Sequence, residues 1–131
     1  MNAQDRARFD ALLEEVIDML PDAVLDLLDE APLIVEDAPS ARIMREVEVE
    51  SPDDLCGLHT GVMLTERSVE HSGVMPTQIH IFRRGIVAQA GGWGGSDADA
   101  RIREEIRVTV LHEVGHHFGL EEDDLDSLGF A

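Results

Sequence analysis

The chain has no lysine, no tyrosine, one cysteine and one tryptophan, and each shortage removes a class of explanation. A lone cysteine, Cys56, excludes an intrachain disulfide and fits a reducing compartment. No apolar stretch approaches the roughly eighteen residues a membrane helix needs, and no basic segment leads into an apolar one near the start. Neither a membrane span nor a secretory leader is predicted, and a cytoplasmic location is expected. Positive charge is also scarce, with ten basic residues, all arginine, against 28 acidic ones and a formal net charge of −18. Such a surface repels nucleic acid and anionic lipid, so neither is expected as a partner. Solubility accounts for the same excess, which therefore carries no inference about the charge of a substrate.

What is present suffices for one core. At 131 residues and 44% hydrophobic, the chain predicts a single domain over 1–131, with a helical segment over 1–30 ahead of a core over 31–131. Leu12, Leu13, Val16, Ile17 and Leu20 have helical spacing, and Pro21 interrupts before Val24, Leu25, Leu27 and Leu28 resume it. Two short helices or one kinked helix follow from that pattern. Leu33 to Glu36 is a short β-prone run, Glu46 to Glu50 alternates as an edge strand would, and the glycines around Gly57 to Leu64 suggest a strand and turn. Gln78 to Arg83 alternates cleanly, and Ile86 to Gln89 extends it after Gly85. A small mixed sheet is expected.

Gly91-Gly92-Trp93-Gly94-Gly95 lacks the Lys-Ser/Thr of a phosphate loop, and the acids Asp97 and Asp99 follow it. It reads as a loose connector, with a lid carrying Trp93 as a substrate contact as the alternative.

The chemistry concentrates in His112-Glu113-Val114-Gly115-His116. A helix turns about 100° per residue, so His112 and His116 lie about 40° apart around the axis and can share one ion. Glu113 flanks the same turn, where a carboxylate can take a proton from water held by that ion. Zinc would lower the pKa of such a water to about 7 and polarise a scissile carbonyl. The motif sits in a predicted helix over 102–118, with a start at Ser96 and Asp99 and a stop at Gly119. Ile106, Val108, Val110, Leu111, Val114 and Phe118 make that helix largely apolar, hence buried. Glu105, Thr109, His112 and His116 share the remaining stripe, and polar groups in a buried helix require partners. A metal supplies one; two surface histidines are the plainer reading. Glu105 and Thr109 are candidates for the surroundings of the ligands, whereas His117 turns about 100° away from His116. Glu122, ten positions after His112, is the candidate third ligand within an otherwise solvated acidic turn.

The run His112-Glu113-Val114-Gly115-His116-His117-Phe118-Gly119 resembles the bacterial mini-zincin family, small single domains that look like metallopeptidases and share His-Glu-Val-Ala-His-His-Phe-Gly before an acidic segment. Weaker similarity runs through Gly57 to Gly61, Leu64 to Ser68 and Gln78 to Arg83, covering residues 30 to 129 in all. That family usually has Asp as third ligand, where this chain has Glu122 with Asp123 beside it; Glu122 is favoured and Asp123 is the alternative. The resemblance implies an α+β fold: N-terminal helices, a small mixed sheet and a C-terminal active-site helix. It implies a zinc-dependent metallopeptidase acting on a peptide or protein substrate, with zinc on His112, His116 and Glu122 and with Glu113 as general base. Gln78 to Arg83 would be the edge strand that pairs with an extended substrate. With no tyrosine, oxyanion stabilisation falls to His59, His71, His80 or Arg83, and with no methionine after the motif, Leu125, Leu128 and Phe130 would floor the site. The alternative is a non-catalytic metal-binding or partner-binding module on a zincin scaffold. Glu113 favours the hydrolase, because a structural site needs ligands but no base.

Overall fold

The computed structural model describes residues 1–60 and 78–119. Helix α1 (Ala3–Met19) is capped by Asn2, whose side chain accepts a 2.7 Å hydrogen bond from the Asp5 amide. It buries Phe9, Leu12 and Val16, the spacing of one helical face. Leu20 is extended, since the ring of Pro21 disfavours helical backbone before it, so the two apolar runs form separate helices. Helix α2 (Asp22–Glu30) starts directly after the proline.

Strand β1 (Leu33–Glu36), strand β2 (Gly57–Thr60) and strand β3 (Gln78–Phe82) form a sheet in the order β1-β3-β2. β1 is parallel to β3, with Leu33 opposite Ile79 and Val35 opposite Ile81; β2 is antiparallel, with Gly57 opposite Ile81. The period-2 pattern of β3 holds through Ile81: Ile79 and Ile81 are fully buried, and His80 between them bonds Glu36 of β1 through Nδ1 at 2.9 Å; Phe82, on the His80 side, is fully buried as well. The architecture is the α+β arrangement that the sequence implies. The expectation of Gln78 to Arg83 as an edge strand is corrected, because β3 pairs on both sides and β2 is the outer antiparallel strand among the described residues.

Two further strand expectations fail. Glu46 ends helix α3 (Ala41–Glu46), whose N-terminus is capped by the Ser40 hydroxyl on the Ile43 amide. Glu48 then takes a positive φ of 60°, which interrupts any extended run through Glu50. Ile86 to Gln89 belongs to helix α4 (Arg83–Ala90), which follows β3 without a loop. Gly85 explains the tight seating of α4: a Cβ there would lie 2.0 Å from the Leu55 carbonyl oxygen, so helix and chain meet at backbone contact.

Helix α5 (Ala98–His117) runs through the protein and starts one turn earlier than expected. Asp97 occupies its N-cap position, but the Asp97 carboxylate is engaged by Arg101 rather than by helix amides. Ile102, Ile106, Val110 and Val114 are fully buried in one cluster with Phe9, Val24, Ile79, Ile81 and Ile86. The buried face is narrower than the sequence suggests, for Val108 is 44% exposed.

A charged clamp fixes α1 to the end of the sheet. Arg83 donates from Nε and Nη2 to both oxygens of Asp10, at 2.9 and 3.0 Å, and from Nη1 to Asp37 at 2.9 Å. Arg6 holds the other side of Asp37 with bonds of 3.1 and 2.6 Å. The glycine-rich segment is likewise built rather than loose. Arg101 donates to the carbonyl oxygens of Ala90 and Gly94 at 2.9 and 2.8 Å, and Trp93 packs on the core with the Arg8 guanidinium 4.6 Å from its ring centre. No helix among the described residues is long and apolar enough to cross a membrane.

Candidate metal centre

The last two turns of α5 carry His112 and His116 one above the other, with ring centres 4.1 Å apart and planes inclined at 53°. Both residues are exposed, whereas Glu113 is only 8% exposed. Their ligand-type atoms, the imidazole nitrogens and a Glu113 carboxylate oxygen, all lie within 4.8 Å of one another. Among the described residues this is the group of three such side chains close enough to share an ion. Val110 and Val114, both fully buried, anchor these turns and hold the histidine face toward solvent.

Under this face lies β2. A Cβ on Gly57 would meet the Glu113 Cγ at 2.8 Å and the Thr109 Cγ2 at 3.0 Å, so the strand backbone packs directly on these two helix side chains and adds none of its own. Thr109 is buried one turn before Glu113, and it bonds Cys56, the residue preceding Gly57. The Cys56 thiol is pushed up to about 11, chiefly by burial and then by the charge of Glu105, with the Thr109 hydrogen bond acting against both. Cys56 is therefore a protonated filler beneath the site, not a nucleophile. Thr109 thus lies on the buried side of the centre, whereas Glu105 is half-buried two turns before His112 and acts on Cys56 through its charge.

Other candidates are placed elsewhere. His80 occupies the alternate register of β3 and bonds Glu36, and Arg83 is committed to Asp10 and Asp37; neither faces the histidines as an oxyanion donor would. His59 is not among those placed elsewhere: its backbone lies in β2, two residues after Gly57 and opposite Ile79. His117 sits edge-on to Phe118, with ring centres 4.8 Å apart. Trp93 is packed on the core under Arg8, in the segment that Arg101 holds, and Arg101 stands eleven residues, about 16 Å of helix, before His112. This fixed packing corrects the loose-connector reading and does not favour the lid. Glu122, Asp123, His71 and the floor residues Leu125, Leu128 and Phe130 lie outside the described residues. Sequence reasoning missed Gly57: a glycine within a short strand signals a close backbone approach, but it was read as turn propensity.

The family model for zincin-like metallopeptidases matches residues 28–130. The chain belongs to that family. The matched region holds the sheet, α3, α4 and α5, while α1 lies ahead of it. A comparison with curated proteins gave no match. Zincin-like metallopeptidases imply a metal, typically zinc, and the donors fit: two imidazoles, ligands of catalytic zinc, converge at an exposed face with the Glu113 carboxylate beside them.

Proposed function

We propose that this zincin-like metallopeptidase is a zinc-dependent hydrolase of peptide bonds, acting on a peptide or protein substrate. His112 and His116 hold the metal, Glu122 completes its protein ligands, and Glu113 is the general base. When bound, zinc supplies a Lewis acid that polarises the scissile carbonyl and acidifies water. The chain's own part is division of labour along one helix. The two imidazoles stand in solvent, open to ion and substrate, while Glu113 is held under β2 with its carboxylate directed to the same point. A base needs a fixed position within reach of the proton it accepts. The burial of Glu113 between two exposed histidines is the observation that carries this reading.

The test is Glu113→Gln, which keeps the size and removes the base. Zinc affinity is expected to persist while hydrolysis falls by at least about a hundredfold, the scale for loss of a positioned base. The assay is a digest of a diverse peptide library, with chelation and zinc restoration as controls and alanine substitution at Glu121, Glu122, Asp123 and Asp124 to locate the third ligand through zinc affinity. A zinc-loaded parent that cleaves nothing would refute the hydrolase reading and leave a metal-binding module. Cleavage that survives in Glu113→Gln would refute the role of Glu113.

A further inference from the structure

We infer that Gly57 is a positioning residue, and that the absence of a side chain on β2 determines where Glu113 holds its carboxylate. The inference rests on the reading of Glu113 as the base. A Cβ at residue 57 would lie 2.8 Å from Glu113 Cγ, 3.0 Å from Thr109 Cγ2 and 3.1 Å from the His80 carbonyl oxygen. Carbon atoms in ordinary contact stand about 3.5–4.0 Å apart, so the nearest of these neighbours would have to move by roughly 1 Å. Gly57 is not among the glycines with positive φ. The requirement is thus for room, not for a backbone conformation that other residues avoid.

The three neighbours do not yield equally. The His80 oxygen belongs to the main chain of the central strand, paired on both sides. Thr109 is buried beside the fully buried Val110 and is tied to Cys56. Glu113 is the neighbour with the longest side chain and the most rotatable bonds, so its Cγ gives way first. It is also the neighbour whose placement matters, since its carboxylate shares the 4.8 Å cluster with both imidazoles. Gly57 and Thr109 form the two sides of a slot that fixes the Glu113 methylene, leaving the carboxylate one consistent approach to the reacting water.

The experiment compares the parent, Gly57→Ala, Glu113→Ala and the double variant. Metal-free thermal unfolding, zinc affinity by competition with a chromophoric chelator, and steady-state cleavage of a library-derived peptide are measured. Gly57→Ala is expected to lower the metal-free Tm by about 5–10 °C, the scale of moderate overpacking. In the Glu113→Ala background that loss shrinks by about half, because the nearest clash is gone. Zinc affinity stays within about twofold, since the imidazoles are not among the atoms displaced. With zinc bound, kcat falls about ten- to a hundredfold at unchanged KM, as expected for a base misplaced by 1 Å. Equal Tm losses in the two backgrounds, or an unchanged kcat, would overturn the inference. Should Gly57→Ala not fold, Thr109→Ser removes the other side of the slot and keeps the hydroxyl. Its kcat should fall about threefold or more with KM and zinc affinity unchanged, and no change would overturn the inference equally. A parent that cleaves no peptide refutes the hydrolase reading, whereas the metal-free cycle still decides whether Gly57 acts on Glu113.

Discussion

Replacing Arg83 by alanine tests whether the clamp, and not the hydrophobic cluster alone, holds α1 in place. Arg83 makes three charge-assisted bonds of 2.9, 3.0 and 2.9 Å, and its side chain is 11% exposed. Breaking a fully buried pair costs about 3–5 kcal/mol, and an exposed pair contributes about 0–1 kcal/mol. The partners here are intermediate, at 47% exposure for Asp10 and 27% for Asp37, and Asp37 keeps Arg6 when Arg83 is lost. The expected cost is therefore about 2–3 kcal/mol, between those limits. At about 2.1 cal/mol/K per residue, a 131-residue chain loses roughly 3–4 °C in Tm per kcal/mol, so Arg83→Ala should unfold about 10 °C earlier. The assay is calorimetry of the metal-free protein, with Arg83→Lys beside it. Lysine keeps the charge but lacks the planar fork that grips both oxygens of Asp10, so it should recover less than half of the loss. A loss under about 1 kcal/mol in Arg83→Ala, the level of an exposed pair, would refute the reasoning. So would a lysine variant as stable as the parent.

Two further expectations concern protons. Asp37 is held at about 2 instead of its ordinary 3.8, chiefly by the hydrogen bond from Arg6 and further by Arg83 against an opposing effect of burial. Its folded pKa lies below the unfolded one, so its contribution is full above the ordinary value and is lost as pH falls from about 4 to about 2. Solvent screening limits this to about 1 kcal/mol. Tm measured against pH should therefore show the parent and Asp37→Asn converging across that window; parallel curves would count against the clamp. Cys56, with its thiol raised from 9.0 to about 11, should alkylate roughly a hundredfold more slowly near neutral pH than an unperturbed thiol, by its smaller thiolate fraction. Iodoacetamide labelling should still be accelerating above pH 9.5, and a plateau near 9 would refute the buried placement.

The metal helix was legible because its signals agree: an unbroken apolar pattern, a glycine stop and two histidines at helical spacing all specify one object. Only its first turn was misplaced: the apolar pattern begins at Ile102, whereas the helix already starts at Ala98, beside the Ser96 and Asp99 start that the sequence offered. The sheet was legible as strands but not as an order. Alternation along Gln78 to Phe82 says which residues face inward, and it is identical for an edge and a central strand. Partners come from where distant segments return, which no local pattern contains. Ile86 to Gln89 misled for the same reason: four residues after a glycine suit a strand or a helix, and backbone contact with Leu55 selects the helix. At the site, the two histidines and Glu113 were found from spacing, but the burial of Glu113 depends on Gly57, fifty-six positions earlier. That relation exists only once β2 is laid on α5.

The position of α1 separates two boundaries that are easily taken for one. The match to the family model of zincin-like metallopeptidases begins at residue 28, just before β1. The line of cooperative folding falls elsewhere. Phe9, Leu12, Val16, Leu20 and Val24 precede residue 28 and belong to the same cluster as Ile102, Ile106 and Val110 of the metal helix. Asp10 and Arg6, from the same segment, complete the clamp at the end of the sheet. A fragment cut where the family match begins would keep every candidate ligand and lose the wall against which the ligand-bearing helix is packed. Mutations far from the histidines, in residues ahead of the family match, therefore act on the metal centre through its support.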